Sequence, residues 1–584
     1  MSFRESNLNA LAQYNPYCYT WLSRQSVSTS YVKRNLFRNG QGMLDWRMPS
    51  GAGLFEDITP RGVYGKWING EDSTASATVI IGCNLGYGIN EVLRHTPRTH
   101  KVIVLEPRAE LLMACLSQTD YGSFFKGGKL FFVPPEKQVL KEAASQLDLH
   151  YLFGKIRVLT DMPSCQLGPE YAQWRDEWKR LLENLSCDMN TVRQRQDVMI
   201  ENELKNFARA RREGCLLGLR GRADGIPAVL LGAGPSLDRF GPDLVRNRAT
   251  ALYVCGLQVL PTLQRHGFKP DLCMAIDYSK SMERVYETLD TEWVQDIPFI
   301  YSCKVQPSVV NAYPGPTLPL WTTGGLGSNL PPNRELVLST GKGVGTTLVR
   351  FLLWCGVKRL LFVGQDFAWF AGKAHADGHL SNRNGFVFDP KIHQKLQNPE
   401  GKTIYSTLAY ITARRELEAE LAHSDVSAFN LYGGGAAIRG ARPVDWDTVV
   451  RERLLAGDSA RLRHFLEAVQ RARRPKPWPL PETRFNSWTR SLRAVERRLK
   501  RLFKKPSRNQ TEIHTVLSQT LFFLRQDPLY QPCLFNEIFD VAGLVHGRSA
   551  YGLREWTEFR SILKRVIKRI RQVDTHLILE AEAA

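Results

Sequence analysis

The stretch that most constrains the fold is residues 226–240, IPAVLLGAGPSLDRF. Ala228 to Leu231 form a short apolar run of the kind a buried parallel strand needs. Gly232-Ala233-Gly234-Pro235-Ser236 then breaks it before a segment with helical spacing. This predicts a strand, a tight turn and a helix N-terminus. Gly232 and Gly234 let backbone N–H groups approach an anion with no Cβ in the way. Pro235 presets the turn, and Ser236 can cap the helix or hydrogen-bond a phosphate. The turn suits a phosphorylated ligand, although a GxG after a strand also serves as a plain tight connection.

The same pattern recurs downstream. Strands are expected at 228–231, 251–255, 272–276, 298–301, 318–321 and 359–363, alternating with helices, which implies a mainly parallel sheet covered on both faces. Ligands of such sheets sit at the carboxyl ends of the strands, where the turns 232–236, 277–281 and 364–366 all fall. About a hundred residues after the first turn, STGKGVGTTLVRFLLWCGVKRLLFVGQDFAW (339–369) combines a Gly- and Thr-rich turn, a long helix, a strand and GQD. NLYGGGAAIRGA (430–441) closes the segment.

Together these motifs resemble those of the motility-associated factor (Maf) flagellin glycosyltransferases and, over the central domain, the bacterial CMP-sialic-acid transferases. The resemblance covers roughly residues 70–450, with its core at 223–445. It implies an α/β fold with a Rossmann-like central domain, a second Rossmann-like domain before it, and an all-α C-terminal domain.

Four segments are expected: an N-terminal domain (1–168), a helical connector (169–222), the central nucleotide-sugar domain (223–450) and a basic helical domain (451–584). Residues 1–70 read as short strands and loops. TVIIGCNLGYGINEVLRHTPRTHKVIVLEP (78–107) is a strand–turn–helix–strand unit. Gly82, Gly86 and Gly88 line its turn, and Glu106 ends the next strand. A carboxylate there holds ribose hydroxyls in S-adenosylmethionine and dinucleotide folds; the structural alternative is a capping or solvated residue. The last segment carries 27 Lys and Arg against 14 Asp and Glu, much of the chain's net charge of +20. Its amphipathic helices, broken at 473–483 and near 543–552, present either a solvated face or a docking surface for an acidic protein. No nucleic-acid motif accompanies the charge. The eleven cysteines are scattered, with no CxxC pair, which argues against a zinc site or a disulfide framework. With no membrane-spanning run and no secretory signal, a cytoplasmic location is expected.

The residues that can carry chemistry cluster at the expected strand ends. Gly232, Gly234, Pro235 and Ser236 form the nucleotide cradle. Asp277 can accept from ribose hydroxyls or cap the following helix. GKGVGTT (341–347) fails the P-loop pattern because Lys342 precedes the glycine turn, yet Gly343, Thr346 and Thr347 can meet a phosphate at a helix start. Gln365 and Asp366 match the family's GQD element beside the nucleotide. Past them stand Trp369, Lys373, His375, Asp377 and His379. The resemblance places His375 near a tyrosine that steadies the departing phosphate and puts Tyr405 close to the family's histidine base. The catalytic candidates are therefore His375, Tyr405 and Asp377, with the base itself left open. His375, Asp377 and His379 could alternatively hold a divalent ion, but no metal site is expected and no tightly bound cofactor.

The function implied is transfer of a nonulosonic acid, of pseudaminic or legionaminic type, from a CMP-activated donor to Ser or Thr of flagellin. Flagellin and the nucleotide sugar are the expected partners. The alternatives are an ATP-dependent enzyme like the archaeal pterin diphosphokinases, a non-catalytic flagellin-binding factor, and a methyltransferase acting through Gly82 and Glu106.

Overall fold

The computed structural model describes residues 2–582 apart from 57, 68–75, 329–334, 371, 382–385, 473–476 and 478, with only the backbone for 580–582. The Pro-rich break at 473–483 thus lies partly outside the described residues. The chain divides into two compact units. One comprises Met1–Arg193, Thr489–Arg525 and Asn536–Val566; the other comprises Gln194–Trp488, Gln526–Phe535 and Ile567–Ala584. The C-terminal helices Phe485–Leu502, Gln510–Gln526, Phe535–His546 and Leu553–Glu582 contribute to both.

The first unit begins with helices Phe3–Tyr14, Pro16–Ser23 and Thr29–Asn35, where the sequence suggests short strands and loops. Local chemistry explains the difference. Ser2 accepts from the Glu5 amide while the Glu5 carboxylate accepts from the Ser2 amide, a capping box. The helical period is masked because the core-facing Asn7 is polar. Fully buried, it donates to the carbonyls of Leu116 and Thr119 and accepts from the Tyr121 amide. A short hairpin follows, β1 Leu36–Arg38 with β2 Leu44–Trp46.

Strands β3 Ala77–Ile81, β4 Lys101–Leu105, β5 Leu130–Val133 and β6 Ile156–Thr160 then form a parallel sheet in the order β5-β4-β3-β6. Val79 and Ile81 face one core and Ile80 the other, so β3 is apolar throughout.

In the second unit the strands run β7 Ala228–Leu231, β8 Leu252–Gly256, β9 Leu272–Ala275, β10 Phe299–Ser302, β11 Thr317–Thr322, β12 Val337–Leu338 and β13 Arg359–Val363. A separate antiparallel hairpin follows, β14 His393–Gln397 with β15 Thr403–Thr407, and then β16 Ser427–Leu431 and β17 Ala441–Val444. The main sheet has nine parallel strands in the order β12-β11-β10-β9-β8-β7-β13-β16-β17. From β7 the chain lays strands outward in one direction. It then returns to the other side of β7 with β13 and continues the opposite way. Val229 and Leu231 enter one core and Ala228 and Leu230 the other. Burying three such aliphatic chains stabilises β7 by about 6 kcal/mol.

The architecture is therefore α/β, with two Rossmann-like parallel sheets and a helical C-terminal segment. Among the described residues no helix is long and apolar enough to cross a membrane, and none of the eleven cysteines is in a disulfide.

Candidate functional site at the switch point

The reversal of strand order between β7 and β13 opens a crevice at their carboxyl ends, the place where doubly wound sheets bind ligands. Gly232–Ser236 leaves β7 there and Gly364–Asp366 leaves β13. The two turns are knitted together. Gly232 N donates to Val363 O at 2.7 Å, Gly234 N to Gly364 O at 2.8 Å, and Ser236 N to Asp366 Oδ2 at 2.8 Å. Close packing demands the glycines. A Cβ on Gly232 would lie 2.4 Å from Gly364 O, and one on Gly234 would lie 2.3 Å from Asp366 Oδ2.

Pro235 is the N-cap of helix Ser236–Arg246, and Ser236 sits inside its first turn. The anion at this helix N-terminus is the chain's own: Asp366, 6 % exposed, places its carboxylate where the helix dipole favours negative charge. Burial nevertheless pushes its pKa up to about 6. The next residue, Phe367, is held in the left-handed region at φ 49°, a strained position at the lip of the crevice.

The third motif closes onto the same point. A Cβ on Gly433 would meet Ser236 Cβ at 2.3 Å and one on Gly435 would meet Asp366 Cα at 2.7 Å, while Ala436 N donates to Asp366 O at 2.8 Å. In the sequence these glycines mark only the end of the domain; their role appears once β16 is placed beside β13.

The N-terminus of helix Val344–Trp354 is the other wall. Its N-cap, Gly343, has extended backbone and nothing within 4 Å of a built Cβ, so the crevice is open there. Thr346 is buried in the first turn, and the Thr347 hydroxyl bonds back to the carbonyls of Thr340 and Gly343. The Gln365 amide is wedged between the two walls, within 2.3 Å of a Cβ on Gly232 and 3.2 Å of one on Gly345. Lys342 N donates to Glu416.

The loop after β13 folds back onto the first turn, with Ala376 N donating to Ala233 O and Asp377 N to Asp238 Oδ2. This puts His375 beside the crevice. Its ring stacks on His379 with centroids 4.2 Å apart and 6° between planes, and its Nε2 lies 3.3 Å from the Tyr410 hydroxyl. His375 Nδ1 is buried, and among the described residues it has no hydrogen-bond partner. Burial lowers the pKa of His375, and burial together with the neighbouring His375 lowers that of His379 to about 3, so both rings are neutral.

The residue facing His375 is thus Tyr410, in the first turn of helix Leu408–Ala422 capped by Thr407. Tyr405 lies on β15, its ring against Phe386 and Phe388. Asp377 turns away to an exposed ion pair with Lys373 at 2.8 Å. Among the described residues no group of three or more His, Cys, Asp and Glu is placed to hold a metal ion; His375, Asp377 and His379 do not converge. Asp277 accepts from Ser279 N in a local turn, Ser279 being the cap of the next 3-10 helix, and it stands at β9, two strands from β7. Two open clefts of about 500 and 570 Å³ lie elsewhere, beside Arg484 and Arg571 and beside Arg222 and Arg471. Topology and interlocked turns, rather than size, single out the crevice.

The first unit has a comparable reversal between β3 and β6, but its own side chains fill it. Glu106, 1 % exposed, is neither solvated nor open to a ribose. It accepts from the amides of Cys83 and Arg108 and from the Tyr171 hydroxyl at 2.7 Å, and burial lifts its pKa to about 7. Tyr64 donates likewise to Asp161 at 2.6 Å. Two tyrosine hydroxyls take the acceptor sites that a nucleoside would use.

Fold and crevice together define a doubly wound α/β protein with a glycine-lined switch point, and residues 201–372 match the family model of 6-hydroxymethylpterin diphosphokinase MptE-like proteins. Over 99 % of its length the chain has the fold of the MAf glycosyltransferase from Magnetospirillum magneticum AMB-1, whose solved structure it matches at a TM-score of 0.65 and 16 % identity, covering 97 % of that chain. No curated protein matches the chain significantly by sequence.

Proposed function

We propose that the protein is a Maf-type glycosyltransferase that moves a nonulosonic acid, of pseudaminic or legionaminic type, from a CMP-activated donor to Ser or Thr of flagellin in the cytoplasm. The observation that carries this reading is the convergence of three glycine turns and a glycine-capped helix N-terminus at one switch point, in a chain that follows a Maf glycosyltransferase fold along its length.

Because Asp366 already occupies the Ser236 amide, the donor phosphate goes to the N-terminus of helix Val344–Trp354. There Gly343 leaves room and Thr346 adds a hydroxyl. Gln365 bridges this wall to the Gly232 turn, where Gly234 and Pro235 shape the floor. His375 is the base. Neutral and paired at Nε2 with the Tyr410 hydroxyl, it takes the acceptor's proton by way of that hydroxyl, which gives its own proton to Nε2 as it receives the acceptor's. The acceptor oxygen forms its bond to the anomeric carbon as the bond from that carbon to the phosphate oxygen breaks, and the electron pair leaves with CMP. A single displacement inverts the anomeric centre. Tyr410 and the stacked His379 orient the base.

The test is a thermal-shift series with CMP, CDP, UDP, ATP and S-adenosylmethionine, together with flagellin modification by a His375→Ala chain. A CMP-selective shift and lost modification support the reading. Modification at full rate without His375 removes it from the role of base. The MptE-like match favours a second reading, an ATP-dependent diphosphokinase, for which ATP rather than CMP would stabilise the protein.

A further inference from the structure

We infer that the outer edge of β14, with the apolar turn before it, is the docking strand for an extended polypeptide segment that presents its hydroxyl to His375. This rests on the transferase reading and adds to it the surface that receives the acceptor.

Three observations carry it. First, β14 and β15 form a two-stranded sheet, and no other described strand pairs with β14. Asn398 N donates to Lys402 O, so strand alternation turns the backbone groups of 394, 396 and 398 toward β15 and those of Lys395 and Gln397 outward. A row of outward N–H and C=O groups is complemented by extended polypeptide backbone, which a sugar or an acyl chain cannot supply.

Second, large exposed apolar side chains gather at the turn leading into this strand: Val387 at 81 %, Ile392 at 58 % and Phe388 at 36 %. The turn is held in shape. His393 N and Ile392 N both donate to Asp389 O, and Asp389 N donates to His393 Nδ1.

Third, this surface is continuous with the crevice through a chain of rings. Phe388 touches Tyr405 at 5.2 Å, Tyr405 touches Phe386 at 4.8 Å, Phe386 touches Trp369 at 5.9 Å, and Trp369 touches Tyr410 at 5.1 Å, which bonds His375. Trp369 is also hydrogen-bonded through its backbone to Tyr405. A strand added beside β14 therefore lies next to the layer that ends at the base, with alternate side chains available to Val387, Phe388 and Ile392.

The experiment screens the full-length protein against an array of randomised 15-residue peptides, each with a central Ser or Thr, and reads the CMP thermal shift in parallel. Lys395→Pro removes one outward N–H, and proline is tolerated on an edge strand. Lys395→Ala keeps that N–H but loses the ammonium that lies 5.2 Å over the Phe388 ring. Val387→Asp/Ile392→Asp makes the turn polar. The expected result is that wild type and Lys395→Ala select peptides with apolar residues at alternate positions around the hydroxyl. Lys395→Pro and the double variant should bind them at least tenfold more weakly while keeping the wild-type CMP shift. The inference is overturned if wild type selects no peptide, if all variants select the same peptides equally, or if Lys395→Ala falls with Lys395→Pro. Peptide selection without any CMP shift would sink the transferase reading and leave the docking strand standing.

Discussion

Asp366→Asn isolates the electrostatic cost of the crevice. The carboxylate is 6 % exposed and its pKa rises from an ordinary 3.8 to about 6, chiefly through burial, against the opposing hydrogen bond from Ser236. At about 1.4 kcal/mol per pH unit, holding it ionised costs the fold about 3 kcal/mol. The sign follows from proton binding. Between pH 3.8 and 6 the folded chain retains a proton that the unfolded chain has lost, so stability falls as pH rises through that window and the penalty is complete above it. Asparagine keeps an oxygen for Ser236 N and cannot ionise. The variant's melting temperature should therefore gain on wild type as pH rises from 4 to 7. At roughly 2 °C per kcal/mol for a unit this large, the gain is about 6 °C. Calorimetry or fluorescence melting of both proteins in matched buffers measures it. Parallel curves, or a wild type that gains on the variant, would refute the account of a buried, destabilised carboxylate.

Other perturbations separate ligand space from packing. Gly343→Val adds a side chain where nothing lies within 4 Å and the backbone is extended, so melting should stay within about 1 kcal/mol of wild type while the CMP-induced shift disappears. Gly234→Ala pushes a Cβ against Asp366 and the Gly364 carbonyl and should cost about 1–3 kcal/mol without any ligand present. Asn7→Ala strands two carbonyls and one amide in the first core and should cost about 3 kcal/mol in urea unfolding. On helix Phe485–Leu502, Arg490, Arg493, Arg497 and Arg501 follow one another at helical spacing and all are exposed. Arg497→Glu replaces two repulsions with two attractions, which should stabilise by about 1 kcal/mol at low salt and much less in 1 M NaCl.

The six central strands and both glycine units are legible in the sequence because buried parallel strands are continuous apolar runs ended by turn residues. Three strands of the second unit that escape notice lack that signature. β12 is two residues long, β17 contains Arg442 and Pro443, and β14 has one apolar chain, Leu396, among four polar ones. GAGPS, GQD and the histidine loop are visible as motifs, and the structure brings them together. What the sequence hides is who partners whom. Asp366 reads as a ligand residue and proves to bind the chain's own amide. Tyr405 has the right chain position but points into a ring cluster, while Tyr410, five residues on and in the first turn of the next helix, reaches His375. Glu106 has the spacing of a ribose ligand, yet Tyr171, on a helix 65 residues later, claims it.

The interlocked turns also set a schedule for the growing chain. Ser236 and Asp366 are 130 residues apart, and β7 has no neighbour on its β13 side until the later strand has been made. At typical synthesis rates that interval is roughly 6–26 s, during which a fully apolar strand leaves the ribosome with one edge open. The crevice is among the last parts of the sheet to assemble, and the strand that anchors it is the stretch most in need of a chaperone's protection while it waits.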